Sequence, residues 1–150
     1  MTDLIDALWV RYRKAGDPTA RTQLLDRSLR GCTAALIDET LAVLGRADIH
    51  PAALDGPPPQ ALPRLMRLPT PLFRLLAGRK LRIDPQARSS MADDLALGRT
   101  TEVDAICGAV VRLARQHGLA APLNARMVDL LSVPKPQPVG GKALRQLLGL

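Results

Sequence analysis

Aromatic side chains are nearly missing from this chain: Trp9, Tyr12 and Phe73 make up 2% of its 150 residues. Runs of β-branched and aromatic residues, which build sheets, are equally scarce, and this excludes a β-sandwich, a barrel or a large α/β domain. The same scarcity removes the stacking platforms on which single-stranded nucleic acids are held. The two cysteines, Cys32 and Cys107, form no C-x-x-C pair, and His50 and His117 lie far apart, so no metal site is expected. No run of 18 apolar residues occurs, and Arg64, Arg67, Arg74 and Arg79 interrupt the most apolar middle segment, so no membrane partner is expected. Met1-Thr2-Asp3 opens without a basic, then apolar, leader, and the expectation is a cytoplasmic protein. Glycine-rich phosphate cradles (G-x-G-x-x-G after a strand, G-x-x-x-x-G-K) and the G-x-S-x-G elbow are absent as well.

What the chain does contain is Leu, Ala and Arg, all good helix formers. It is 47% hydrophobic and 23% charged, which is ordinary for a globular domain. Its net charge of +7 favours an acidic partner: an anionic small molecule, an anionic lipid or a nucleic acid. The arginines are scattered, with no periodic basic stripe, so nucleic acid is the least favoured of these.

Apolar spacing predicts helices over 3–15 (Leu4, Ile5, Leu8, Tyr12) and 19–46 (Leu25, Leu29, Cys32, Leu36, Thr40, Val43, Leu44). Seven prolines between 51 and 71 predict a loop, with a turn or two at 60–68. Short helices are expected at 71–78 and 90–97. A longer one follows at 102–117, opened by a Thr101-to-Asp104 capping pattern and buried along Val103, Ile106, Val110 and Ala114. Pro122 starts a helix at 122–132 with Leu123, Met127, Leu130 and Leu131 inward. Residues 134–141 read as a Pro/Gly linker, and 143–148 as one or two frayed amphipathic turns. The expected fold is all-α, with a helical domain at 1–133 and a linker and tail at 134–150.

The most informative stretch is 82–124, where two helix starts follow one another. One presents Ser89 and Ser90, the next Glu102. A hydroxyl and free amide N–H groups at a helix start can bind a carboxylate. The same residues are equally at home as a cap and a first-turn acid, with no function beyond the helix itself.

Ser89-Ser90-Met91 with Asp94, Gly98-Arg99 with Thr101-Glu102-Val103-Asp104, Ile106 and Gly108, then His117-Gly118 with Pro122 and Asn124, occur in order and without gaps. Together they resemble the C-terminal helical domain of the ketopantoate reductase (2-dehydropantoate 2-reductase) family, over roughly 68–133. Ile37-Asp38-Glu39 is similar to an acidic helix segment of the same domain. The resemblance implies an all-α, bundle-like domain of the 6-phosphogluconate dehydrogenase C-terminal type. It also implies a family of NADPH-dependent oxidoreductases of pantothenate biosynthesis, in which a Rossmann domain holds the NADP cofactor and the helical domain closes over substrate. On the same ground Ser90 is expected to contact the substrate carboxylate, and Glu102 to bind substrate and orient a catalytic lysine.

Two departures matter. No Rossmann half lies in these residues, so no NADPH is expected to bind to this chain alone. The family's catalytic Lys and two Asn of the first helix are also unmatched: Asn124 is the only asparagine, and Arg11, a poor general acid, falls at the lysine position. The expectation is therefore a substrate-binding and dimerisation domain, inactive alone and a homodimer through 3–15 and 19–46, with a small carboxylate as a possible ligand. The alternatives are the lid half of a split reductase acting with a separate Rossmann chain, and a basic anion- or nucleic-acid-binding module.

Overall fold

The computed structural model describes residues 25–52, 57–77, 102–133 and 140–150, and among them every regular element is helical. The expected helices at 3–15 and 90–97, and residues 134–139 of the linker, lie outside the described residues.

The longest helix, α1 (Arg27–Arg46), is the one around which the others pack. It starts at Arg27, so the helix expected over 19–46 is interrupted at Asp26; Leu25 is helical, and residues 19–24 lie outside the described residues. Asp26 takes an extended backbone, and its Oδ1 accepts the N–H groups of Ser28 (2.7 Å) and Leu29 (3.3 Å). That fills two amide donors which would otherwise be orphaned at a helix start. At the far end Asp48 adopts φ +56°, and the N–H of Ile49 bonds back to the Leu44 carbonyl at 2.9 Å. This left-handed closure is one that aspartate tolerates better than most residues.

From Leu29 to Leu36 every residue of α1 except Gly31 is buried, a wider face than the expected stripe. The surprise on that face is Arg30, 1% exposed. Its Nε donates to the Met66 carbonyl (3.0 Å), and its Nη2 donates to the Leu68 carbonyl (2.9 Å) and to Thr70 Oγ1 (3.2 Å). The guanidinium lies 4.4 Å from the centre of the Phe73 ring. Burial lowers its pKa from the ordinary arginine value, yet the group stays cationic. Arg30 thus fastens the proline-rich connection to α1. That connection is a 3-10 turn (Pro59–Ala61) and two short helices, α2 (Leu62–Arg67) and α3 (Thr70–Ala77), which matches the turns expected at 60–68 and starts the next helix one residue early; its expected end at 78 lies outside the described residues.

The expected helix at 102–117 divides into a π-helical turn (Asp104–Gly108) and α4 (Ala109–Gln116). A π turn carries extra residues per revolution and rotates the following face. Val103, Cys107 and Ala114 are consequently the deeply buried positions, while Ile106 and Val110 are half-buried, a correction to the regular seam read from the sequence. Gly118, at φ +66°, ends α4 as expected, with the Leu119 N–H reaching the Ala114 carbonyl at 2.8 Å.

Pro122 opens α5 (Pro122–Ser132), which buries Met127 and Leu131. The expected frayed turns at 143–148 are instead helix α6 (Gly141–Leu148), closed by Gly149 in the left-handed region. Leu144 and Leu148 of α6 join Leu29, Cys32, Leu36, Val103, Cys107, Met127 and Leu131 in the principal core. A second cluster holds Val43, Ala114 and Ala121. Frayed turns were expected because eight residues make a marginal helix alone. Burial of two leucines, each contributing about 1.5–3 kcal/mol, stabilises this one.

Candidate functional site

Of the two site residues named by resemblance, Ser90 lies outside the described residues, as do Arg11 and Lys14. Glu102 is described: it is exposed, one residue before buried Val103, and its carbonyl accepts the Ile106 N–H at 3.1 Å. Its carboxylate has no hydrogen-bond or ion-pair partner among the described residues.

The segment after Glu102 is shaped by a bridge. Arg112 Nη1 donates to Asp104 Oδ1 (3.0 Å) and Oδ2 (2.9 Å), and its Nη2 donates to the Asp104 carbonyl (3.1 Å). The Asp104 carboxylate is gripped from eight residues downstream; Thr101, its partner in the expected capping pattern, lies outside the described residues. The bridge runs across Gly108. A Cβ on that glycine would collide with Asp104 Oδ1 and come within 3.0 Å of Arg112 Nη1. Two residues of the T-E-V-D-x-I-x-G pattern, Asp104 and Gly108, are thereby explained by local packing, which leaves Glu102 as its exposed acid.

The His117-Gly118…Pro122-x-Asn124 pattern resolves in the same way. Gly118 makes the left-handed stop and Pro122 the first turn of α5. Asn124 is fully buried and meets Glu39 of α1. Glu39 Oε1 accepts the Leu123 N–H at 2.9 Å, and Oε2 accepts the Asn124 N–H at 2.8 Å and its Nδ2 at 2.7 Å. A carboxylate from a distant helix thus caps α5, where the helix dipole favours negative charge. Asn124 Oδ1 is left without a partner. Sequence reading placed Glu39 only in an acidic segment and left Asn124 as a motif letter; the one asparagine in the chain was the available signal. Arg30 was missed altogether, because a lone arginine in an apolar stretch carries no pairing information.

Both cysteines are fully buried and unpaired, and burial pushes each thiol up to about 11. At neutral pH they are packing groups and not nucleophiles. Among the described residues no cluster of three His, Cys, Asp or Glu is placed to hold a metal ion. No helix among them is long and apolar enough to cross a membrane.

Residues 16–135 match the family model described as ketopantoate reductase PanE/ApbA C terminal. A stretch of 43 residues is 49% identical to the 2-dehydropantoate 2-reductase of Yersinia pestis, covering 29% of this chain and 14% of that protein. Over 49 residues, 33% of this chain and 17% of the relative, it is 45% identical to the 2-dehydropantoate 2-reductase of Caulobacter vibrioides (strain ATCC 19089 / CIP 103742 / CB 15). The protein of that name from Halobacterium salinarum (strain ATCC 700922 / JCM 11081 / NRC-1) is 49% identical over 43 residues, 29% of this chain and 14% of its own length. The matched stretches therefore span less than a fifth of these relatives. No solved structure matches the chain.

Proposed function

The chain belongs to the family of ketopantoate reductase C-terminal domains, and we propose that it acts as the helical, substrate-binding part of such a reductase. The observation that carries this reading is the family match over 16–135, which takes in both Ser90 and Glu102. Exposed Glu102, held at the mouth of a braced helix, supports a role in contacting substrate, with Ser90 receiving the carboxylate. A cytoplasmic setting belongs to the same reading.

The resemblance brings NADPH with it, and the residues present do not fit that cofactor. The sequence contains no glycine-rich strand-to-helix turn. The N-termini of α1 and α5 are already filled, by Asp26 and Glu39. On this reading the nicotinamide is placed by a nucleotide-binding part outside these 150 residues, in the same polypeptide or in a partner, and no hydride step is assigned to this chain alone. Self-association through 3–15 and 19–46 into a homodimer is part of the proposal; the apolar Leu4, Ile5, Leu8 and Trp9 motivate it.

Titration of the chain with ketopantoate, followed by NMR shifts, tests the reading. We expect saturable binding with Kd of about 1 mM, weakened about tenfold in Glu102→Gln. No shifts up to about 10 mM ligand, or equal binding in Glu102→Gln, would overturn it.

A further inference from the structure

Three arginines from three different helices border one groove. Arg27 in the first turn of α1, Arg67 at the end of α2 and Arg145 in α6 line a cavity of about 430 Å³, with Ser28, Gly31 and Ala35 beneath them. Arg67 is paired with Asp38 at 2.6 Å. Arg27 and Arg145 have no hydrogen bond or ion pair among the described residues. The acid beside Arg27 in the chain, Asp26, has its Oδ1 engaged by the first amides of α1. Among the described residues, then, neither of these two guanidinium groups is ion-paired with an acid.

Gly31 keeps the groove open. A Cβ there would meet only Arg145 Nη1, at 3.9 Å. Any longer side chain would extend toward that guanidinium. Ala35 and Leu150 add apolar wall. Arg145 and Leu150 also lie beyond the 16–135 segment that matches the family, so the groove depends on α6 and not on the family pattern.

We propose that this groove binds a small molecule through an oxyanion group, a phosphate or a carboxylate held between Arg27 and Arg145, with its carbon body against Ala35 and Leu150. Guanidinium forks match either oxyanion in bidentate geometry. The volume falls in the range of small-molecule clefts, about 300–1,000 Å³. Among the described residues no aromatic side chain lines the groove, which disfavours a nucleic-acid strand that would stack there.

Calorimetry with inorganic pyrophosphate and, separately, with succinate, at constant ionic strength, tests the site. We expect one-to-one saturable binding of at least one of them, weakened about tenfold in Arg145→Gln and in Arg27→Gln. Preference for pyrophosphate marks a phosphorylated ligand, and preference for succinate a carboxylic acid. Gly31→Leu, which replaces a helical glycine with a better helix former, should abolish binding while leaving the melting temperature unchanged or higher. Arg46→Gln, at the other end of α1, should bind as the parent does. Absence of saturable binding of both probes at about 10 mM would overturn the proposal. So would equal weakening in Arg46→Gln and Arg145→Gln, since attraction to net charge alone predicts that result.

Discussion

Glu39 and Asn124, 85 residues apart, are joined by two hydrogen bonds to one carboxylate oxygen: Oε2 accepts the Asn124 backbone N–H at 2.8 Å and its Nδ2 at 2.7 Å. With Oε1 on the Leu123 N–H, this pair ties the middle of α1 to the first turn of α5. Glu39→Ala leaves three donors unsatisfied in a partly buried place. Loss of about 3 kcal/mol is expected, a melting shift of roughly 10 °C. Glu39→Gln retains an acceptor and should lose less. Thermal melts of the two variants check the order.

Gly108 offers a prediction in which two substitutions interact. In the parent, Gly108→Ala pushes the exposed Asp104 carboxylate off Arg112, and loss of that bridge offsets the gain in helix propensity, so the net change should be under about 1 kcal/mol. The bridge itself is exposed on both sides and contributes under about 1 kcal/mol. With Asp104→Ala already present, the obstruction is gone. There Gly108→Ala should stabilise by about 1 kcal/mol through helix propensity. A double-mutant cycle by denaturant unfolding measures both; additive effects would contradict the packing described.

Helix α6 belongs to the core and not to a tail. Leu144→Ala is expected to cost about 2–5 kcal/mol, because Leu144 is fully buried. Leu147→Ala, three residues on and 36% exposed, should cost under about 1 kcal/mol. If both variants melt alike, α6 does not pack as found.

The cysteines give a pH dependence. Unfolded, each thiol titrates near about 8.5; folded, Cys32 and Cys107 are each pushed up to about 11. Between those values the folded chain holds protons that the unfolded chain releases. Stability is therefore full below about pH 8.5 and declines as pH rises toward 11. Urea unfolding at pH 7.5 and 10 should show the decline. A Cys32→Ala, Cys107→Ala double variant, less stable at neutral pH, should show a flatter profile.

Composition and periodicity were enough for the all-helical class, for α5 at 122–132, for the stop at Gly118 and for the turns at 60–68, since each rests on local chemistry: apolar spacing, proline at a first turn, glycine at positive φ. The motif letters of the family were legible for the same reason, as residues at fixed offsets. Their division of labour was not. Asp104 and Gly108 serve one bridge, and Asn124 serves Glu39, while Glu102 has no partner among the described residues; only distances between helices separate these roles. The start of α1 at Arg27, the rotation of the buried face past Asp104 and the docking of α6 likewise depended on tertiary structure. Each is set by a partner remote in sequence or by an extra residue in a turn, and neither leaves a period to read. Arg30 shows the limit most plainly: nothing near it in the chain announces a buried cation, because its acceptors, the carbonyls of Met66 and Leu68, exist as a site only once the proline-rich segment has folded back over α1.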